Sequence, residues 1–581
     1  MEWIIGLWIL MAIILTCCCY CFLSVKKENG DRLKQNKKKK KKKKGKVPRG
    51  NKGWPLLGET LEFIACGYTS NPVSFMEKRK SLFYRENSIS KEGRAEKPAS
   101  AITGAILDSP LDFSGLYGSV FKTSILGTGV IVSTDPEVNK VILQNQGNIF
   151  VPAYPKSVRE LMGDYSILQM NGNMHRKIHS LLGGFLRSPQ FKARITTDIQ
   201  HSVKQCFATW THQPIYVQDQ VKKITFTILV KVLLSIGPGE DLDFLKREFE
   251  EFIKGLICLP IKFPGTRLHK SLKAKERMMK IVKRVIEERN NNIDKKKNSE
   301  EKGGAANDVV DVLLRDIGDS NTISNMLENI CENIIEMMIP GEETLPTAMT
   351  MAVKFLSDSP LALSKLLEEN MELKRQKNSA EDYVWSDYLQ LPFTQNVISE
   401  TLRMANIVNA IWRKAVKDVE IKGYLIPKDW CVVASLTSVH MDEMNYEKAF
   451  KFDPWRWEKT GGGANNNWFT PFGGGQRLCP GIELSRLELS IFLHHLVTTY
   501  RWVAEKDEII YFPTVKMKRK LPISSLSVVL TVGSLSISVG KVSYNYHNIM
   551  RCGCHVTFLQ INTRCSAIPH LTSVSFQVPK L

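Results

Sequence analysis

Acidic residues are the shortage in this 581-residue chain: 59 Asp and Glu stand against 80 Lys and Arg, a formal net charge of +21. It also lacks internal repeats, a glycine-rich dinucleotide fingerprint and, beyond residues 17–21, any Cys-x-x-Cys pair or zinc-spaced Cys/His cluster. These absences exclude a solenoid, a self-contained flavin or nicotinamide fold, and a zinc knuckle. With 43% apolar and 24% charged residues, the chain is also no disordered polyelectrolyte. The charge excess says less about the folded body than it suggests. Lys37 to Lys44 are eight consecutive lysines, and Lys26, Lys27, Lys34 and Lys46 flank them. One basic collar therefore carries much of the excess, and nucleic acid is not an expected partner.

Long uncharged runs are scarce too, with one exception at the N-terminus. Trp3 to Leu23 is 21 residues without a charge, about the length that crosses a bilayer core as a helix. A signal peptide would have a shorter apolar core and a small-residue cleavage site. Residues 1–25 are thus expected to be a single-pass anchor. Residues 26–53 then form a Lys-rich, Pro/Gly-containing juxtamembrane segment against anionic membrane lipid, leaving the body in the cytosol. Four of the 13 cysteines (Cys17, Cys18, Cys19, Cys21) lie inside the run, and a cytosolic body keeps the others reduced.

The body reads as mainly helical with small peripheral sheets. Helical periodicity covers 242–257, 268–290, 323–356, 361–378 and 392–405. Two β-rich runs within 118–134, separated by Gly127-Thr128-Gly129, predict a hairpin, and short strands with a turn at Gly423 follow in 419–434. Residues 54–523 are expected to be one large domain. Within it 84–115 has no sustained period and reads as an insert; 524–581 reads as an atypical, disordered tail.

The chemistry centres on "FTPFGGGQRLCPG", residues 469–481. Cys479 lies just before a strongly apolar-periodic helix, whose first-turn amides and dipole favour a thiolate. Gly473, Gly474 and Gly475 let the backbone lie against something flat, and Arg477 adds a cation two residues before the sulfur. A thiolate donor, a planar partner and a cation for that partner's acidic groups point to haem with axial cysteine ligation. The plainer alternative is a glycine-rich turn holding a small buried cysteine.

Phe472, Gly475, Arg477, Cys479 and Gly481 fill every fixed position of Phe-x-x-Gly-x-Arg-x-Cys-x-Gly, and the stretch resembles the haem-binding signature of the cytochrome P450 superfamily. The resemblance implies that fold, haem b, and electrons from NADPH through an NADPH-cytochrome P450 reductase. It also implies further residues. Glu400 and Arg403, at i and i+3 of "ISETLRMANI", pair with Arg456 of "FDPWRWEKT" as a structural triad; Trp457 stands where Phe is more usual. "IPGEETLPTAM" supplies the proton-delivery pair Glu343 and Thr344, with Pro340 and Leu345 departing from the family pattern. Pro346 and Pro340 lack amide hydrogens, so the carbonyls of Glu342 and Glu336 lose helical partners and the helix can widen beside Thr344. Arg413 matches a propionate-binding arginine, and His175 and His179 occupy the positions of a Trp-x-x-x-Arg pair.

Longer stretches, among them "FVPAYPKSVRELMGDYSILQMNGNMHRKIHSLLGGFLRSPQ", resemble a plant brassinosteroid-biosynthetic group, and within it the C-23 hydroxylases. That resemblance implies a haem-thiolate monooxygenase of the endoplasmic reticulum membrane, hydroxylating an apolar 22-hydroxylated steroid with O2. The alternatives are another plant sterol or terpenoid, or a non-catalytic haem- or sterol-binding relative. Substrate is expected against the 150–170 loop, the start of the Glu343 helix, 405–412 and the approach to Pro522.

Overall fold

The structure is a computed structural model that describes residues 45–527, apart from 51–52, 54–57, 70, 80–117, 126, 145–148, 211–213, 298–305, 318–319, 378–381 and 464–467, and two short strands beyond. Residues 1–44, the segment 84–115 and nearly all of the tail lie outside the described residues. No helix among the described residues is long and apolar enough to cross a membrane, and the 3–23 run is not among them.

Helices make most of the body. Those that position the site are α1 (Gly172–Arg187), α2 (Val217–Leu234), α3 (Ser320–Glu336), α4 (Leu345–Ser357), α5 (Pro392–Ala405) and α6 (Ile482–Thr499). α4, α5 and α6 are buried along most of their length, α5 and α6 enclosing polar side chains such as Thr401, Arg403, Ser490 and His494 among the apolar ones, so neighbours surround each of them. Ile491, Phe492, Leu493 and Leu496 of α6 share one hydrophobic cluster with Val397 and Ile398 of α5 and Met349, Ala352 and Val353 of α4. Each large apolar side chain buried there contributes about 1.5–3 kcal/mol against exposure. These three helices are the rigid floor on which the loops around Cys479 sit.

Five strands form the main sheet: β1 (Val120–Ile125), β2 (Thr128–Ser133), β3 (Phe150–Pro152), β4 (Ala410–Ala415) and β5 (Cys431–Ser435), in the order β1-β2-β5-β4-β3. Only β2 and β5 pair in parallel. The expected hairpin is present but tighter: Ile125 pairs with Thr128, so Thr128 and Gly129 already belong to β2. Of the segment before it, Gly50 bridges Lys122 of this sheet, and Lys46 bridges Tyr424 of the separate hairpin in which Val419–Ile421 pairs with Tyr424–Ile426.

Two boundaries differ from the periodicity. The helical stretch 323–356 is not continuous: α3 ends at Glu336, whose carbonyl Pro340 cannot satisfy, and a π-helical turn, Pro340–Thr344, precedes α4. The strand Pro522–Ser527 pairs with Tyr500–Ala504 as far as Ser527↔Tyr500, four residues past the expected edge of the body. Beyond it, residues 528–581 form a separate unit in which Leu530–Thr531 and Ser534–Leu535 pair as a short hairpin.

Candidate functional site

Cys479 is set by its own loop. Its amide donates to the Phe472 carbonyl at 3.1 Å, closing the glycine-rich segment into a ring whose far side is the short 3-10 turn Gly475–Arg477. The glycines serve the protein backbone rather than a flat partner alone. Gly475 has φ +63°, and a Cβ there would stand 2.3 Å from the Leu143 carbonyl oxygen. The helix mouth contributes less than its position suggests. α6 begins at Ile482, and one amide, that of Gly481, hydrogen-bonds toward the sulfur. Burial outweighs it and pushes the Cys479 thiol up, so the expectation of a thiolate held by first-turn amides is corrected. A bound metal ion is what deprotonates a coordinating thiol.

Beside this loop lies a cleft lined by Leu143, Asn171, His175, Arg413, Gln476 and Arg477. β4 brings in Arg413, which is buried and whose guanidinium donates, among the described residues, to the neighbouring Trp412 carbonyl at 2.9 Å. Arg477 donates to the carbonyls of Leu168 and Met170. Among the described residues neither guanidinium is ion-paired with a carboxylate. Burial, with Arg413 adding repulsion, pulls Arg477 down to about 10, which leaves it charged at neutral pH. Two cations side by side, Arg413 buried and Arg477 half-buried, are costly unless an anion joins them. A cysteine loop beside a cleft lined by two guanidiniums that have no carboxylate partner among the described residues fits the iron and the propionates of haem.

The two histidines separate. Burial and the neighbouring Arg477, His179 and Arg413 push His175 down to about 4, so it is a neutral ring in the cleft. His179 stacks on it at 5.5 Å, but its Nε2 lies 2.6 Å from the Leu478 carbonyl. That distance makes His179 a donor that braces the cysteine loop, where the sequence suggested a second propionate ligand.

The structural triad is present and larger than expected. Glu400 and Arg403 are fully buried on α5. Glu400 Oε1 accepts from Arg403 Nη2 at 2.8 Å, Arg456 Nε at 2.9 Å and the Asp453 amide at 3.0 Å. Oε2 accepts from Arg403 Nε at 2.9 Å and from the Trp457 indole at 3.0 Å. Trp457 is therefore a donor and no mere substitute for Phe. Arg403 also donates to the His440 carbonyl, and His440 Nε2 accepts from the Thr470 amide at 3.1 Å, two residues before Phe472. Nothing in the sequence marked His440. The chain Glu400–Arg403–His440–Thr470 ties the buried helix to the cysteine loop.

On the other side, the widened helix appears where the prolines predict it. The Leu345 amide bonds the Pro340 carbonyl, an i→i−5 contact. Thr344 is half-buried, with its hydroxyl 3.4 Å from the Pro340 carbonyl. Glu343 is half-buried and its carboxylate makes no ion pair among the described residues. Glu342, unremarked in the sequence, is the buried acid of the turn: Lys222 Nζ holds its Oε1 at 2.5 Å. The 150–170 and 405–412 stretches meet, since β3 pairs with β4 and the Ala153 amide donates to the Trp412 carbonyl.

The cytochrome P450 family model matches residues 102–523, beginning inside the 84–115 segment. The 3-epi-6-deoxocathasterone 23-monooxygenase CYP90C1 of Arabidopsis thaliana is 60% identical, over 83% of this chain and 85% of its own. A second Arabidopsis thaliana 3-epi-6-deoxocathasterone 23-monooxygenase, CYP90D1, is 50% identical, over 82% of this chain and 89% of its own. Retinoic acid bound cyanobacterial CYP120A1 shares the fold, with a TM-score of 0.67 at 22% identity over 83% of this chain and all of its own.

Proposed function

The chain belongs to the cytochrome P450 family, and from that premise we propose that it hydroxylates C-23 of 3-epi-6-deoxocathasterone or a close 22-hydroxylated brassinosteroid precursor. The observation that carries the chemistry is the Cys479 thiol on the same loop as Arg477, with Arg477 and the buried Arg413 lining one cleft without carboxylate partners among the described residues. Support for the position on the steroid comes from the 60% and 50% identity to the two 23-monooxygenases.

When bound, haem with a thiolate ligand supplies the oxygen-activating chemistry that places a hydroxyl on an unactivated C–H bond. Cys479 would hold the iron. Arg477, Arg413 and the neutral ring of His175 would bind the propionates, and His179 would brace Leu478. Phe472 and Gly475 shape the loop. Glu400, Arg403 and Arg456 hold it in register. Thr344, on a turn with too few backbone partners, would hold a water, and Glu343 would pass protons to it from solvent. Electrons would come from NADPH through a cytochrome P450 reductase. Residues 1–25 would anchor the protein in the endoplasmic reticulum membrane, with the 26–53 collar on anionic lipid and the 54–523 body in the cytosol, where an apolar steroid partitions from the bilayer. Segment 84–115 and the tail beyond Ser527 would be additions to that body.

The test is incubation with reductase, NADPH and a panel of 22-hydroxylated and 22-deoxy sterols, with product position read by mass spectrometry. Hydroxylation at C-23 of the 22-hydroxylated members supports the reading; product at another carbon, or none from protein carrying haem, overturns it.

A further inference from the structure

The π turn at Pro340–Thr344 is gripped from outside by one face of α2. Lys222, Thr225 and Leu229 stand at i, i+3 and i+7, so all three meet the turn together. Lys222 Nζ donates to Glu342 Oε1 at 2.5 Å; Glu342 is 2% exposed and Lys222 25%, so the pair runs from solvent into the protein. Thr225 Oγ1 lies 2.6 Å from the Gly341 carbonyl oxygen. A Cβ on Gly341 would stand 2.9 Å from Leu229 Cδ2, so the turn packs on α2 with no room for a methyl.

The Thr225 contact distinguishes one helical register from another. In an α-helix the Leu345 amide would bond the Gly341 carbonyl. Here it bonds the Pro340 carbonyl, leaving that of Gly341 buried without an amide. A buried carbonyl needs a partner; the Thr225 hydroxyl has one hydrogen, with the Val221 carbonyl of its own helix at 2.9 Å and that of Gly341 closer, at 2.6 Å, so its donation turns to Gly341. In the α register that hydroxyl would compete with a backbone bond already made. The Glu342 carbonyl, released by Pro346, belongs to the same opened stretch. Lys222 adds a charged tether to the next residue, in surroundings that also include Lys246 and Glu250.

We propose that Thr225 and Lys222 are positioning residues of the oxygen-activating site: by holding Gly341 and Glu342 they keep the turn in the π register and so set where the Thr344 hydroxyl stands. The proposal rests on reading Thr344 as a proton-delivery residue. Without the two contacts, the turn samples tighter registers, and protons reach the site at the wrong point. Reducing equivalents then leave as hydrogen peroxide instead of hydroxylated steroid.

The test compares Thr225→Val with Thr225→Ser, and Lys222→Met with Lys222→Arg, in full-length haem-loaded protein with reductase and 3-epi-6-deoxocathasterone. Product formed per NADPH, hydrogen peroxide released, substrate affinity and amide hydrogen exchange across residues 339–346 are measured. Thr225→Val and Lys222→Met should keep the thiolate spectrum and substrate affinity, release several times more peroxide per product, and exchange at least about fivefold faster across the turn. Ser and Arg should restore both readouts. Wild-type coupling and exchange in Thr225→Val and Lys222→Met overturn the proposal; if Thr225→Val does not fold, the Lys222 pair decides. Thr344→Ala separates the two readings. If it stays coupled, the proton-delivery reading falls; if it uncouples while the α2 variants do not, only the positioning role falls.

Discussion

His179 Nε2 lies 2.6 Å from the carbonyl oxygen of Leu478, the residue directly before Cys479. A ring on α1 thereby fixes the loop that presents the sulfur, from an element 300 residues away in sequence to within one residue. His179→Leu should retain haem more weakly, by about fivefold or less, because the loop before Cys479 loses the donor that braces the Leu478 carbonyl. Haem transfer to an excess of acceptor protein measures this, and His179→Gln, which keeps a donor, should recover part of the loss.

Arg413 and Arg477 should matter through charge rather than shape. Arg477→Leu is expected to lower haem occupancy at least about tenfold, and Arg477→Lys less, because a bidentate guanidinium is only partly replaced by a point charge. Arg413→Leu should act in the same direction. The haem-to-protein absorbance ratio after purification reports both.

Glu400 gathers five donors in a buried site, so removing it strands two arginines. Glu400→Ala should cost about 3–5 kcal/mol, enough to leave little folded protein. Trp457→Phe removes a single donor and keeps the ring, so it should cost about 1–3 kcal/mol and leave the visible spectrum unchanged. Denaturant unfolding distinguishes these outcomes.

What the sequence made legible is local. The cysteine signature, the Glu400–Arg403 pair and the proline-opened helix are each written within a dozen residues, and each stands where the spacing put it. Cross-chain partners were not legible. Trp457 donates to Glu400, His440 links Arg403 to Thr470, and Lys222 meets Glu342 only because packing brings distant elements together. Gly475 read as room for a planar partner, while its nearest neighbour is the Leu143 carbonyl. The thiolate expectation weighed helix dipole without burial, and burial dominates.

Glu488 is buried on α6, with one carboxylate oxygen unpartnered, and burial pushes it up to about 8 from 4.5. A raised acid favours folding while protonated; that contribution is complete below 4.5 and is lost as pH rises through about 8. Glu488→Gln should therefore gain on wild type across that window, by at most about 1.4 kcal/mol per pH unit. His175 and His494, each held down to about 4, act oppositely: their contribution is lost as pH falls from 6.5 through about 4. Thermal unfolding of both proteins at about pH 5 and about pH 8 should show the Gln variant's advantage at the higher pH only.

The central claim is a thiolate from Cys479 on haem iron. The most direct measurement is the difference spectrum of the reduced carbon monoxide complex of the wild-type protein and of Cys479→Ala, with folding checked by circular dichroism. The wild type should show the red-shifted Soret band of thiolate ligation, and Cys479→Ala should lose it. A folded, haem-containing wild type without that band, or a Cys479→Ala protein that retains it, would contradict the assignment.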